Sequence, residues 1–545
     1  MVTKTLAGEE SSIKAYTIAV DVFGRPQTFD PQSDPIVRVQ ARRLRTLLEQ
    51  FYDTGKGHSA VQIRLPLGRY VPEFGLSQVP DPAPLPNVEA SPVAAVIPPR
   101  SEQQRSSRFF LNAVLGLSFT LIGVALAVAL IRWTLPAATP VAQSSTPDFP
   151  SVTVAVFDNL TGQAVLDDDV AAVGQRVAES LAKFELLRVV AGGGKFTVRA
   201  SVQESSGQFS LKAMLSQNGA DGIVWSMTIT PPKGTTDTEA LTLASTSLAA
   251  ILGSATGPLH AADRAWLDQQ TKLPDKPGLY VCALEYMAWR DLRKLDAATS
   301  AADCLKQALV AFPNDAVALA EDAGLRAWID DFQAPPGTDQ VQLLSEEATE
   351  AGHAVSLLPN SSFAYQQQGL VLARQGLFDA SLGALKKASE LNPASMDALV
   401  IYGLLQWVTG DFTDGAAATE RAIAGVPSPP AYYYMTRAFD ALRQRRFYDA
   451  IDAAQALAAG DEELGPTIAL AAAPVIGRND LIDRYRPVIL ANPHFQAGGI
   501  MTRIERLYKT PALTDRIREG LILAGIPPRA LDAPFNEDGT LRKQP

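Results

Sequence analysis

The alternation of apolar and polar residues divides this chain of 545 residues into three kinds of segment. Between residues 151 and 229, short stretches alternate with a period of two, which is typical of half-buried strands. From residue 276 to 525, apolar residues recur at helical spacing. One run, 109–131, has 23 residues without a charge and shows neither alternation. The pattern therefore predicts a region with a sheet, a long helical region and one candidate membrane span.

The uncharged run at 109–131 is long enough to cross a bilayer, because about 20 apolar residues span the ~30 Å of hydrocarbon. Three arginines, Arg100, Arg105 and Arg108, precede it, whereas only Arg132 follows closely. Positive charge favours the cytoplasmic side of a span. We therefore expect a single-pass protein of the bacterial inner membrane, with its N-terminus in the cytoplasm and its C-terminal body in the periplasm.

One face of the predicted membrane helix is lined with small residues, and such a stripe allows two helices to approach closely. The stripe consists of Gly116, Thr120, Gly123 and Ala127. Small residues are also common in membrane helices generally. The stripe therefore either mediates a homodimer or is an ordinary feature of a membrane helix.

Proline-rich and polar segments mark further boundaries. Residues 79–108 form a tether with a high proline content, which favours an extended, semi-rigid chain. Residues 132–150 are a second linker. These boundaries leave residues 1–78 as a separate head.

The head combines an arginine-rich helix with a β-hairpin. The segment that follows Asp34-Pro35 places apolar residues on one helix face and arginines on another. Residues 60–74 alternate, with Pro66 and Gly68 marking a tight reversal. The basic residues of the helix and hairpin are Arg38, Arg42, Arg43, Arg45, Arg64 and Arg69.

This arrangement resembles the end of an OmpR/PhoB-type winged-helix domain. VRVQARRLRTLLEQF is similar to the recognition helix of that family, and IRLPLGRYVPEF is similar to its wing. The resemblance implies that the six arginines contact duplex DNA, with the helix in the major groove and the wing at the phosphates. Otherwise, the arginine stripe is a solvated helix face.

Residues 151–260 are predicted to form an α+β domain. VAVFDNLTG, the acidic start of the helix at 167 and the later hairpin around SSG resemble the TolB amino-terminal module. That resemblance implies a mixed sheet with helices packed on it.

An internal repeat of 34 residues lies in the region 276–525, for which we predict five or six stacked helix pairs. Its small, aromatic and proline positions match tetratricopeptide (TPR) repeats. The matching positions are Gly369, Gly376, Phe378, Ala388 and Pro393, followed by Gly403, Gly410, Phe412, Ala422 and Pro427. Such arrays bind a protein or a peptide in their groove. Tyr432, Tyr433 and Tyr434 either line that groove or pack against the next repeat.

The two cysteines, Cys282 and Cys304, fall on the first and second helices of the first predicted pair. In an oxidising compartment, a disulfide between them would stabilise the fold by about 3 kcal/mol. The alternative is a pair of buried thiols in the helix interface.

The charge and the residue composition limit the ligands, metals and reactions that we expect for this chain. The net charge of −10 divides into +2 for residues 1–108 and −12 for the remainder, so nucleic acid is not expected to bind the body. The four histidines lie far apart and no metal-ligand spacing is present, so we expect no metal and no other cofactor. No nucleophile motif indicates an enzyme.

Together these features resemble ToxR/CadC-type membrane regulators. The predicted fold class is multidomain, with a winged helix, one transmembrane helix, an α+β domain and an all-α TPR solenoid, followed by a tail at 526–545. The predicted function is transcriptional regulation, in which a sensing or protein-binding TPR body acts on a DNA-binding head. The alternative is a TPR scaffold for envelope complexes that does not bind DNA.

Overall fold

The computed structural model describes residues 146–542 apart from 206, 220, 221 and 507, and a smaller part of the N-terminal region. In that region it describes residues 5, 13–14, 16–18, 41, 48, 61–66 and 69–76. The chain divides into two compact units, Met1–Ala129 and Leu130–Pro545.

The N-terminal unit contains an antiparallel strand pair at the position of the predicted hairpin. Strand β1 (Val61–Arg64) pairs with β2 (Glu73–Leu76), and Arg64 lies opposite Glu73. Between the two strands, the Arg69 N–H donates to the Pro66 carbonyl oxygen at 3.3 Å, at the position of the predicted reversal. Arg64 and Arg69 are both exposed. The other predicted DNA-contacting residues, Arg38, Arg42, Arg43 and Arg45, lie outside the described residues.

The predicted membrane layout requires correction. Among the helices of the described residues, none combines the length and the apolar character that a bilayer span needs. The longest, with 18 residues, carries five charged side chains, of which Glu321, Asp322 and Asp331 are buried in the protein. The segment 109–131, with the stripe at Gly116, Thr120, Gly123 and Ala127, lies outside the described residues. Among the described residues, the predicted transmembrane helix, the inner-membrane localisation and the single-pass layout are therefore not borne out.

The larger unit begins with a mixed sheet. Its strands are β3 (Ser151–Val154), β4 (Asp158–Leu160), β5 (Arg188–Val189), β6 (Phe196–Ser205), β7 (Gln208–Gln217) and β8 (Ile223–Ile229). The spatial order is β5-β3-β6-β7-β8, and β4 also pairs with β6. Strand β3 is parallel to β5 and β6, whereas β6, β7 and β8 form an antiparallel meander.

Two helices cover one face of this sheet. They are α1 (Asp167–Leu181) and α2 (Asp237–Gly253). Along β6 and β7 the side chains alternate, so that Val198 and Leu215 are buried against the helices while Arg199 and Lys212 are exposed. Helix α2 is apolar almost all round, which is typical of a helix that is buried on several sides.

The rest of the unit is an array of helices. After α3 (Ala261–Asp268), the helices are α4 (Leu279–Leu292), α5 (Leu295–Ala311), α6 (Ala316–Gln333), α7 (Gln340–Leu343), α8 (Ser345–Leu357), α9 (Ser362–Arg374), α10 (Phe378–Leu391), α11 (Met396–Val408) and α12 (Phe412–Ala424). They continue as α13 (Met435–Arg443), α14 (Phe447–Leu457), α15 (Leu464–Ala472), α16 (Asn479–Ala491), α17 (Pro493–Gly498), α18 (Ile500–Glu505) and α19 (Pro511–Leu523). Consecutive helices pack against each other in pairs, such as α4 with α5 and α11 with α12.

The 34-residue period coincides with two of these pairs. Helices α9 and α11 begin 34 residues apart, and so do α10 and α12. Within the first helix of each pair, a side chain at Gly369 or Gly403 would collide with the second helix, because a Cβ there would lie 2.6 Å from the Leu385 side chain or 2.8 Å from a carbonyl oxygen of α12. Earlier and later pairs do not keep the spacing, since α4 and α6 begin at residues 279 and 316. A regular TPR solenoid over 276–525 is therefore too strong a description.

The sheet region and the array are not separate domains. One continuous hydrophobic cluster contains Val198 and Leu248 of the sheet region together with Met396 and Ala422 of the array. The Glu185 carboxylate also accepts a hydrogen bond from the Ser361 hydroxyl at 2.6 Å, at the start of α9. The predicted fold class of independent winged-helix, transmembrane, α+β and solenoid domains is therefore wrong. The larger unit is a multi-helical body built around one sheet, and the shared core is the reason.

Candidate functional site

The helical array closes on itself and encloses a chamber. The Arg506 guanidinium, after α18, donates to the Asp331 carbonyl oxygen in α6 at 2.7 Å, and Arg503 approaches the same oxygen at 3.4 Å. Gly498 lies so near Pro336 that a Cβ would be 2.5 Å from the proline ring. Because these contacts join residues more than 160 positions apart, they bring the late helices back against the early ones. The chamber between them is partly open to solvent and has a volume of about 650 Å³.

One side of the chamber is apolar and aromatic. The rings of Trp328 and Phe332 are stacked, with centroids 4.8 Å apart. The facing helices contribute aliphatic side chains, of which Leu370, Leu404, Leu405, Val408 and Met435 line the space. Removing this surface from water would favour binding of an apolar group, at about 25 cal/mol per Å².

A cluster of arginines and acids adjoins this aromatic pair, since the Phe332 ring lies 4.3 Å from that of His494 and 5.3 Å from the Arg503 guanidinium. Arg374 and Arg506 contact the two carboxylate oxygens of Asp331 at 2.9 and 3.1 Å. Next to them, Arg503 contacts Glu463 at 2.9 Å, and His494 reaches the same carboxylate at 2.5 Å. The pKa of Glu463 is lowered, because its hydrogen bond with His494 and its pairing with Arg503 outweigh the effect of burial.

Arg293 differs from the other arginines of the chamber. It follows the last residue of α4 with a left-handed backbone, φ 51°. Its guanidinium lies 4.9 Å from the ring centre of Trp289 and 5.1 Å from that of Tyr432. Within the described part of the chain, no carboxylate pairs with it, and its Nε is buried without a hydrogen-bond partner. Burial lowers the pKa of Arg293, since no adjacent anion compensates for the lost hydration.

Asp461 is the titratable acid of the chamber. Burial raises its pKa to about 6, and repulsion from Glu463 acts in the same direction. The carboxylate accepts hydrogen bonds from the backbone N–H groups of Glu463 at 3.0 Å and Leu464 at 2.7 Å. These bonds hold the side chain at the start of α15. The charge of the chamber therefore changes near neutral pH.

A second polar cluster lies between the sheet and α4. The Lys195 ammonium contacts Asp263 at 3.0 Å, the Tyr280 hydroxyl donates to Asp263 at 3.2 Å, and His260 Nδ1 lies 2.9 Å from the same hydroxyl. Burial lowers the pKa of His260 to about 3, so the ring is neutral and Nδ1 donates. The cavity beside His260 measures only about 50 Å³. This network, Lys195–Asp263–Tyr280–His260, is a connected set of satisfied groups with no room for a ligand.

The other predicted residues are distributed as follows. Cys282 and Cys304 form a disulfide that joins α4 to α5. Tyr432 lines the chamber, whereas the Tyr433 side chain is buried, and both hydroxyls donate to Asp397. Of the repeat positions, Gly376 and Gly410 have left-handed backbones, Ala388 and Ala422 are buried, Phe378 and Phe412 begin α10 and α12, and Pro393 and Pro427 follow those helices.

Sequence reasoning missed the residues that define the chamber. Arg293, Arg374 and Asp461 come from three different helix ends, and no spacing in the sequence connects them. The left-handed backbone of Arg293, at a position after α4 where glycine is usual, is visible only in the structure. Across the residues described by the structure, no cluster of His, Cys, Asp or Glu has the arrangement of a metal site.

Neither protein-family models nor curated proteins yield a match to this chain. The resemblances to winged-helix, TolB and TPR families, and to ToxR/CadC-type regulators as a whole, are therefore not supported. Together with the shared core and the missing span among the described helices, this result corrects the predicted family assignment. The chain is described by its own architecture, a helical body that is built on a sheet and encloses a chamber.

Proposed function

We propose that this chain is a ligand-responsive regulator, in which the helical body binds a small molecule and the N-terminal region binds duplex DNA. The observation that carries the first half is the chamber, whose 650 Å³ lies in the range of small-molecule sites. Its lining combines a broad apolar wall with a few charged groups, which is the composition of such sites.

Binding is favoured over catalysis by the chemistry of the lining. Among the described residues, the side chains around the chamber include no Ser, Thr or Cys. Of the buried or half-buried acids that face it, Asp331 and Glu463 are paired with arginines, whereas Asp461 is held by two backbone N–H groups. A ligand in this space would meet groups that hold and orient it.

A protein or peptide partner in the groove is the second candidate, and with it a scaffold function. It is favoured by the stacked helix pairs, since arrays of this type bind peptides on their concave side. The contacts of Arg503 and Arg506 with Asp331 oppose it, because they close the groove to a chain passing through. A short peptide end would still fit the volume.

The chamber is tested with the full chain and a neutral fluorescent probe, phenylnaphthylamine. Ala373 lines the chamber, so Ala373→Trp fills part of it. We expect this variant to bind the probe about tenfold more weakly, because part of the apolar site is occupied. The matched control is Ala311→Trp, at the exposed end of α5. Equal probe binding by both variants, or no binding by the unmodified chain, would contradict the proposed ligand chamber.

The DNA-binding half rests on the basic residues of the N-terminal region, of which Arg64 and Arg69 are exposed. We expect the full chain to retard duplex DNA with a steep dependence on salt, because phosphate contacts release counterions. Replacing Arg42 and Arg45 together by Ala is expected to weaken binding at least tenfold. Arg445→Ala, an exposed arginine of the acidic helical body, is the control. Salt-independent or absent binding would favour the scaffold.

A further inference from the structure

The charges around the chamber do not balance. Four arginines, Arg293, Arg374, Arg503 and Arg506, lie in or directly behind its wall. They face three buried or half-buried carboxylates, those of Asp331, Glu463 and Asp461. Lys294, Asp296 and Glu462 also border the chamber, but these side chains are exposed and are screened by water. The interior therefore has one surplus positive charge when Asp461 is ionised and two when it is protonated.

The surplus charge belongs to Arg293. Each of the other three arginines is within 3.1 Å of a carboxylate oxygen, whereas Arg293 has no ion-pair partner among the described residues. Asp461 interacts with it electrostatically, but from beyond ion-pair distance. Arg293 is half-buried, so its charge is incompletely hydrated, and the acid group of a ligand would supply the missing partner.

The terminal N–H donors of Arg293 have no acceptor among the described residues. Trp289 and Tyr432 approach the guanidinium with their rings, whose centres lie 4.9 and 5.1 Å away. The Nε is buried without a partner, so only the two terminal nitrogens remain to reach a ligand. Those two nitrogens match the oxygens of a carboxylate.

The backbone of Arg293 sets where its side chain lies. Its φ of 51° lies in the left-handed region, where a residue with a Cβ is disfavoured, and the exposed Arg445 shares this conformation. The left-handed backbone places a long cationic side chain at the chamber where a glycine would end the helix without strain.

The anion cannot be a small inorganic ion alone, because most of the chamber is not arginine. The stacked pair Trp328–Phe332 forms one apolar part of the lining, and the apolar residues around Leu404 and Met435 form another. A bound phosphate or chloride would leave this surface facing water. A molecule with an anionic end and an aromatic or aliphatic body would cover both parts.

We infer that the chamber binds an amphipathic organic anion, whose carboxylate or equivalent acid group pairs with Arg293 while its apolar body lies along the Trp328–Phe332 wall. This inference rests on the proposed ligand-binding function and names the class of ligand. The acid group receives paired N–H donors from Arg293, and Arg374 adds positive potential from its neighbouring position. The apolar body supplies the rest of the binding free energy.

The inference is tested with two probes that differ only in a sulfonate, namely anilinonaphthalene sulfonate and the neutral phenylnaphthylamine. The full chain is expected to bind the anionic probe more tightly. Arg293→Gln is expected to weaken the anionic probe about 10- to 100-fold, the effect of losing a charged hydrogen-bonding partner, and to change the neutral probe less than threefold. Arg293→Lys keeps the charge without the paired donors, so it restores part of the loss.

Arg445→Gln is the matched control, because Arg445 also has a left-handed backbone, φ 61°, after a helix, but it is exposed and does not line the chamber. It is expected to bind both probes as the unmodified chain does. If Arg293→Gln leaves the anionic probe unaffected, or weakens both probes equally, the anion assignment is wrong while the chamber stands. If neither probe binds the unmodified chain, the proposed ligand-binding function itself fails.

Discussion

Two polar clusters lie in the interior of the same unit, and they are built in opposite ways. In the Lys195–Asp263–Tyr280–His260 network, each of the four side chains has at least one partner in the network, and the cavity beside it measures about 50 Å³. In the chamber, Arg293 has no anionic partner among the described residues, and the space beside it measures about 650 Å³. A buried network whose groups are all hydrogen-bonded stabilises the fold. A cation without a partner at a cavity indicates a ligand-binding site instead.

The comparison also explains where each cluster occurs. The Lys195–Asp263–Tyr280–His260 network joins the sheet to α4, and there it fixes how the two parts of the unit pack. The arginines of the chamber come from helix ends that face the centre of the closed array. Helices that pack around a centre leave a space there. The residues that border this space can contact a ligand.

The largest expected effect is acid destabilisation through His260. Its pKa is about 3 in the folded state and about 6.5 in the unfolded chain, so between these values only the unfolded chain takes up the proton. Stability is therefore complete above pH 6.5 and falls as the pH decreases, by about 3 kcal/mol at pH 4. Denaturant unfolding at several pH values measures this slope.

His260→Gln is expected to reduce that slope, while His353→Gln, at an exposed histidine of α8, keeps it. If both variants show the slope of the unmodified chain, the network is not the acid-labile part of the structure.

A smaller effect, of opposite sign, is expected at Asp461. Its folded pKa of about 6 lies above the unfolded value of 3.8, so the folded state holds the proton more tightly. The stability contributed by this group is complete below pH 4 and is lost as the pH rises to 6. Asp461→Asn keeps an acceptor for the two backbone N–H groups and removes the charge. At pH 7.5 it should raise the free energy of unfolding by about 1 to 2 kcal/mol, since water in the chamber screens part of the effect.

If Asp461→Asn instead lowers the free energy of unfolding at pH 7.5, the expected effect of the Asp461 charge is contradicted, and with it the contrast between the two polar clusters. Glu462→Gln, at the exposed neighbour, serves as the control and should change stability by less than about 0.5 kcal/mol.

The smallest effect is expected for Arg293→Met in the absence of ligand. Met fills a similar volume against Trp289 and Tyr432 without a buried charge, so the free energy of unfolding should rise by about 1 kcal/mol. Arg445→Met should leave it unchanged. A loss of more than about 1 kcal/mol in Arg293→Met would show that Arg293 supports the fold, and the two clusters would then be alike.

Much of the local structure could be predicted from the pattern of residues. The alternation in KFTVRASVQ and QFSLKAMLSQ predicted strands; β6 includes the first run except Lys195, and β7 is the second run. The 34-residue spacing predicted the helix pairs α9–α10 and α11–α12. These features depend on neighbours within one element or one repeat, which is the range over which periodicity carries information.

The layout predicted from single segments was wrong. A run of 23 uncharged residues predicted a membrane span, but the described helices include none that could cross a bilayer. The sheet and the helical array were predicted as separate domains, yet Leu248 and Met396 belong to one hydrophobic cluster. Composition does not show which apolar faces will meet, because that depends on the path of the chain.

The sequence by itself determined the strands of the sheet, the amphipathic helices and the close approach of helices at Gly369 and Gly403, because these follow from residue size and period. Only the tertiary structure decided that Arg503 and Arg506 meet Asp331, that the array closes, and that Arg293 stands unpaired at the resulting chamber. The physical reason is that the ion pairs and the cavity depend on distances between helices far apart in the chain, and those distances are set by the sum of all the helix packings between them.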